Sequence, residues 1–296
     1  LFDFINIKRI PVIWTLHDCW AFTGQCPHFT MVKCDKWRTG CYDCPQIKEY
    51  PKSIIDKTHK MYFLKKKWFT GVEQLTIVTP SKWLAGLVKD SYLSNYQVKV
   101  INNGIDLNIF KPTESNFREK YQLHDKFIVL GVASPWSEKK GLGDFIELSK
   151  RLDDSYKIVL VGLTDDQVCK IPNNILSLNR IGDSKKLAEI YTTADVFVNP
   201  TLEDNFPTTN IEAISCGTPV LTYRTGGSAE IIDDRTGSVV DHYDIDALEK
   251  EVIRICTEKP YSKEACLNRA KNFDMNDRFH EYIALYNNIV GDKSEI

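Results

Sequence analysis

Asp204 and Glu212, with seven residues between them, stand in Pro200-Thr201-Leu202-Glu203-Asp204-Asn205-Phe206-Pro207-Thr208-Thr209-Asn210-Ile211-Glu212-Ala213. The stretch follows an apolar strand pattern and opens a helical one, so Asp204 falls in the loop and Glu212 about one turn into the helix. At such a crossing the free backbone amides and the positive helix end favour a phosphate. Acids beside that anion suit the hydroxyls of a sugar. An acid pair alone reads more readily as a turn former and a solvated helix face. A second crossing, Ala133-Ser134-Pro135-Trp136-Ser137-Glu138-Lys139-Lys140-Gly141-Leu142, adds two lysines able to neutralise a diphosphate. The third, Tyr223-Arg224-Thr225-Gly226-Gly227-Ser228-Ala229-Glu230, carries two glycines that let backbone approach a ligand closely. A solvated basic turn and a plain glycine turn are the ordinary readings of these two.

Five of the nine cysteines lie in the run Cys19-x6-Cys26-x7-Cys34-x6-Cys41-x2-Cys44. Cys26, Cys34, Cys41 and Cys44 are compatible with a four-thiolate structural zinc site, with buried free thiols as the alternative. Disulfides conflict with the intracellular setting expected below. Lys65-Lys66-Lys67-Trp68-Phe69 places cationic and aromatic groups on one helix. A solvated helix face is the ordinary reading of such a run, and contact with an anionic membrane surface the alternative.

These residues need a scaffold. The chain has 296 residues, enough for two domains, and 38 basic against 40 acidic side chains. That balance argues against a general nucleic-acid binder. No apolar run reaches membrane-spanning length, and Leu1–Ile10 lacks an uninterrupted apolar core of a signal peptide, so a cytoplasmic protein is expected. Val- and Ile-rich runs at Val12–Leu16, Leu75–Val78, Val98–Ile101, Phe127–Val132, Lys157–Val161, Val196–Asn199, Val220–Tyr223 and Ser238–Val240 read as strands buried on both faces. Helical periods at Trp83–Asp90, Leu142–Leu152, Ser184–Thr192, Thr209–Cys216, Asp246–Cys256 and Asn276–Ile289 alternate with them. The pattern predicts an α/β fold with doubly wound parallel sheets rather than a barrel. Turn-forming and polar residues from Asn102 to Thr113 mark a domain break, giving domains 1–106 and 107–275 and a C-terminal helix, 276–296, packing back on the first domain. The ending, Gly291 to Ile296, reads as a frayed tail. No G-x-G-x-x-G follows any strand, which argues against a dinucleotide oxidoreductase.

As a set, Val100-Ile101-Asn102-Asn103-Gly104-Ile105-Asp106, Lys140-Gly141, Asp204-x7-Glu212, Ala213-Ile214-Ser215-Cys216-Gly217-Thr218-Pro219-Val220 and Gly226-Gly227-x-x-Glu230 are specific. The chain resembles the retaining GT-B glycosyltransferases with an E-x7-E motif, the glycosyl transferases group 1. Thr15-Leu16-His17-Asp18-x-Trp20-x-Phe22-Thr23-Gly24 and Glu203-Asp204-Asn205-Phe206-Pro207 extend the resemblance to colanic-acid and other surface-polysaccharide transferases. Two positions depart from the pattern. Aspartate stands at 204 where the family usually has glutamate, with Glu203 beside it, and Ala133-Ser134-Pro135 lacks the arginine often found in the diphosphate loop.

The resemblance implies two Rossmann-like domains around a cleft and sugar transfer, with retention, from a UDP- or GDP-sugar to a glycan or lipid-linked hydroxyl. In that reading Lys140, helped by Lys139, neutralises the diphosphate, with backbone groups of Asn205, Phe206, Pro207, Thr208 and Thr209 and the Gly226-Gly227 turn around it. Glu212 holds the ribose, Asp204 the donor sugar, and His17 contacts the transferred sugar. No metal is required for catalysis, and the enzyme would work in the cytoplasm at the inner face of the membrane. A nucleotide-sugar epimerase and a non-catalytic nucleotide-sugar-binding module are the rivals. The first half offers only three clear strands, so roughly 50 to 100 further residues are expected before Leu1, with sugar transfer by the chain as given poor or absent.

Overall fold

The computed structural model describes residues 1–291 and separates into two compact units. One comprises Leu1–Asn102 with the chain from Arg278 on, the other Asn103–Asp277.

The first unit holds three parallel strands, β1 (Val12–Thr15), β2 (Leu75–Thr79) and β3 (Gln97–Val100), in the order β1-β2-β3. β2, in the middle, is buried along its whole length, as its unbroken Leu-Thr-Ile-Val-Thr pattern requires. Ser81 caps the helix Lys82–Lys89, accepting from the Leu84 amide, and Leu84, Ala85 and Val88 form its buried stripe. The last helix, Met275–Val290, sets Leu285 against Val78 and Ile101, and the Tyr282 and Thr15 hydroxyls share a hydrogen bond at 3.2 Å. Residues 292–296, which include most of the expected tail, lie outside the described residues.

Between β1 and the helix Thr58–Phe69 the chain has no strand or α-helix, only 3-10 turns at Trp20–Phe22 and Lys36–Arg38. Aromatic packing orders it: Trp37 stacks on Phe29 at 5.0 Å and tilts against Phe22 at 5.4 Å. This core corrects the expected basic–aromatic helix face. Lys65 is only 1% exposed and Phe69 is buried, because both sit on the inward stripe of Thr58–Phe69; Lys66, Lys67 and Trp68 remain outside.

The second unit is a six-stranded, all-parallel sheet of β4 (Phe127–Val132), β5 (Tyr156–Leu163), β6 (Leu176–Asn179), β7 (Val196–Asn199), β8 (Val220–Tyr223) and β9 (Gly237–Val240). The order is β6-β5-β4-β7-β8-β9, so the winding reverses between β4 and β7. In such sheets ligands bind beyond the carboxyl ends of the strands at this switch point. β7 and β8 are wholly buried, and Ile128, Leu130, Phe197 and Val220 meet the helix residues Ile211 and Ile214 in the core. Among the described residues no helix is long and apolar enough to cross a membrane.

Candidate active site

The two loops flanking the switch point are those leaving β4 and β7, and they are fastened to each other. Leu202 N–H donates to the Lys139 carbonyl at 2.8 Å, and the Thr201 hydroxyl reaches the same oxygen at 3.2 Å. Gly141 has φ +73°, and a Cβ there would stand 2.4 Å from the Pro200 carbonyl oxygen, so only glycine lets the loops approach this closely. The Trp136 indole N–H, donating to the Val161 carbonyl at 2.9 Å, anchors the base of the lysine loop.

The fastening brings the expected charges together. Lys140 Nζ lies 2.6 Å from Asp204 Oδ2, and Lys139 Nζ lies 2.9 Å from Glu203 Oε2. Glu203 is buried in its pair, whereas the Asp204 carboxylate and both ammonium groups keep partial access to solvent. The neighbouring acids therefore differ in setting: Glu203 is built into the loop, and Asp204 lies at its surface.

The loop leaving β8 closes on the same group. Gly226, at φ +53°, would drive a Cβ to 1.8 Å from the Asp204 carbonyl oxygen, and Gly227 N–H donates to the Asn205 carbonyl at 2.8 Å. Asn205 N–H donates to Asp204 Oδ1 at 2.9 Å, and Asn103 Nδ2 donates to the Phe206 carbonyl at 3.2 Å. Pro207 precedes the helix Thr208–Ser215, whose first turn holds no acid and whose N-terminus has no side-chain cap. Its leading amides are thus available to an anion.

Glu212 projects from this helix, and the hydroxyl of the fully buried Tyr191 donates to its Oε2 at 2.9 Å. Burial pushes the Glu212 carboxyl up from its ordinary value, against the opposing hydrogen bonds from Tyr191 and Thr208. Beneath the loops Asn199 Nδ2 donates to Asn210 Oδ1 at 2.7 Å, Asn210 Nδ2 donates to Ser228 Oγ at 2.9 Å, and Thr222 and Ser228 share a bond at 2.6 Å. This buried polar chain ties β7, β8 and two helices into one support. Sequence reasoning missed Tyr191 and the network. Asn199, a polar residue closing an otherwise apolar buried strand, was the available signal.

The second unit thus gathers Lys139, Lys140, Asp204, Asn205, Phe206, Gly226 and Gly227 on three linked loops, with Thr208, Thr209 and Glu212 on the helix that follows. His17 belongs to the first unit, exposed just past the carboxyl end of β1. Cys26, Cys34, Cys41 and Cys44 also lie there, lining one small cavity. Burial raises Cys26 to about 12 and Cys41 to about 11. Among the described residues no group of three or more His, Cys, Asp or Glu side chains forms a ready metal site.

Comparison with known proteins agrees with this architecture. The chain is 26% identical over 305 residues to the colanic acid biosynthesis glycosyl transferase WcaC of Escherichia coli K12, covering 95% of this chain and 69% of WcaC. It is 25% identical over 225 residues to an Escherichia coli UDP-Gal:alpha-D-GlcNAc-diphosphoundecaprenol alpha-1,3-galactosyltransferase, covering 70% of this chain and 58% of that protein. Anabaena HepE, crystallised with UDP, superposes with a TM-score of 0.72 at 16% identity, over 96% of this chain and 74% of HepE. The GT-B fold expected from the sequence, with two Rossmann-like α/β units, is borne out. Residues 113–273, more than half of the chain and the whole run of loops described above, match the family Glycosyl transferases group 1, and the chain belongs to that family of glycosyltransferases.

Proposed function

We propose that this protein transfers a sugar, with retention, from a nucleotide-diphosphate sugar to a glycan or lipid-linked hydroxyl in surface polysaccharide biosynthesis. The observation that carries the reading is the pair of linked loops at the switch point, one presenting Lys139 and Lys140 and the other Asp204. In the reaction the bond from the anomeric carbon to the diphosphate oxygen breaks, and the nucleoside diphosphate leaves with the electron pair. A bond to the acceptor oxygen forms on the same face, and the acceptor's proton is released. Charge grows on the leaving diphosphate, so fixed donors aimed at it lower the barrier. Lys140 and Lys139 supply that charge, with the free amides of the helix Thr208–Ser215. Glu212, positioned by Tyr191, accepts from the ribose hydroxyls, Asp204 from the donor sugar, and His17 contacts the transferred sugar.

A UDP-sugar is the first donor to test, because one relative is named for UDP-Gal and for a diphosphoundecaprenol acceptor. A lipid-linked acceptor places the work at a membrane. On the first unit the exposed Tyr50, Lys52, Ile54 and Ile55 join apolar and cationic groups suited to an anionic bilayer.

The test is a thermal-shift panel of UDP-, GDP- and ADP-sugars, followed by transfer of labelled sugar to a diphosphoundecaprenol-linked acceptor. Stabilisation by one nucleotide class together with labelled product supports the proposal. Binding without transfer or hydrolysis would point to a non-catalytic module, and conversion of the free donor to its epimer would point to an epimerase. Sedimentation with anionic but not neutral vesicles checks the membrane contact, and equal recovery with both removes it.

A further inference from the structure

The long segment between β1 and the helix Thr58–Phe69 lacks the ladder hydrogen bonds that order a chain of that length. At its centre Cys26, Cys34, Cys41 and Cys44 line a single cavity of about 20 Å³, beside Phe29 and Trp37. That is room for one atom-sized guest. Cys19, the fifth thiol of the run, is buried in the same core but does not line the cavity.

Two further features point at the sulfurs. Gly24 N–H donates to Cys41 Sγ at 3.2 Å, and the Gln46 amide donates to the Cys44 sulfur. Such donors are stronger toward a thiolate than a thiol. The second feature is Lys65, a buried ammonium whose Nζ donates to the carbonyls of Trp20 at 2.8 Å and Thr23 at 3.2 Å, and stands 3.4 Å from the centre of the Trp20 ring. Neutral carbonyls satisfy its N–H groups without cancelling its charge, and a buried charge calls for a partner. The groups facing it are the Cys26 and Cys41 thiols and the Asp18 carboxylate.

We propose that Cys26, Cys34, Cys41 and Cys44 bind one structural zinc ion in this cavity, with Lys65 as the buried counter-charge to the resulting anionic cluster. Four thiols become four thiolates around the dication, releasing four protons to solvent with no change of oxidation state. The four side chains line one cavity without forming a ready site, and binding would draw their sulfurs together around the ion. The ion would then fasten the segment at four points along its length, where regular secondary structure does not.

The test uses the whole chain, reduced and free of any tag. Elemental analysis should give about one zinc per chain. Cobalt(II) loaded in its place should show a thiolate-to-metal charge-transfer band and the intense visible bands of a tetrahedral site. Cys41→Ser and Cys44→Ser should reduce zinc to background, while Cys169→Ser, an exposed thiol of the second unit, should leave it unchanged. Because a serine variant can fail to fold, Cys34→His is the second probe: it keeps four ligands and should shift the cobalt spectrum to that of three sulfurs and one nitrogen. Zinc far below one per chain after growth in ample metal, with no charge-transfer band on adding cobalt, overturns the proposal. So does a cobalt spectrum unchanged in Cys34→His, or a mass showing two of the four cysteines joined as a disulfide.

Discussion

The loops of the second unit leave a six-stranded parallel sheet, and glycines of one loop touch carbonyl oxygens of the next. The irregular segment of the first unit leaves a three-stranded sheet and is ordered by stacked rings, a buried lysine and a group of thiols. In the second unit the scaffold does the positioning, and charged side chains remain at the loop surface for chemistry. In the first, charged and sulfur groups are themselves part of the scaffold. A lysine therefore carries different meanings in the two regions: Lys140 is half exposed beside a surface carboxylate, and Lys65 is enclosed.

The sharpest probe of this contrast is Lys140→Ala. Losing one charge-assisted contact to the leaving group, about 1.5 to 3 kcal/mol, should slow transfer roughly 10- to 150-fold while the melting temperature stays nearly unchanged. Unaltered kcat/KM would take Lys140 out of the site. Gly24→Ala is the counterpart in the first unit. Its new Cβ would sit 2.5 Å from the Thr58 carbonyl oxygen and 2.9 Å from Cys41 Cβ, an overpacking that typically costs about 1 to 3 kcal/mol. The melting temperature should fall while UDP binding by calorimetry is retained. Loss of UDP affinity in parallel would break the contrast.

A finer test separates neighbours. Glu203→Gln removes the buried partner of Lys139 and should lower stability by about 1 kcal/mol, discounted for the solvent access of the lysine. Asp204→Asn should lower transfer and leave the melt alone. The reverse pattern would move the motif register by one residue. The smallest effect is expected at Glu212. Its carboxyl titrates above the unfolded value in the folded chain, so stability present below the ordinary carboxylate range is lost as pH rises through the folded value. Glu212→Gln should therefore raise the neutral-pH melting temperature slightly, flatten that pH dependence, and weaken nucleotide binding. A lower melting temperature would make the carboxylate a net stabiliser instead.

The sheet cores were legible because a strand buried on both faces needs an unbroken apolar run, as Val196-Phe197-Val198 shows. β6 escaped because Leu176-Ser177-Leu178-Asn179 is a half-exposed edge strand. The loops at the switch point were legible as strand-to-helix crossings, but their mutual pairing was not. No local pattern says that Lys140 meets Asp204 or that Tyr191 meets Glu212, because those contacts arise only when distant strands align. Lys65 shows the same limit from the other side. A Lys-Lys-Lys run reads as solvated until the helix places one of the three on its inward stripe.

Both lysines of the candidate site are paired with carboxylates, and the chain as a whole carries a net charge of −2. Paired charges cast little field beyond their immediate surroundings, so they give an arriving anion no long-range pull. Capture of a nucleotide should then proceed at an ordinary diffusive rate that changes little with ionic strength. Discrimination among donors would lie in how slowly each one departs, after its phosphates have displaced a carboxylate and its hydroxyls have re-satisfied it.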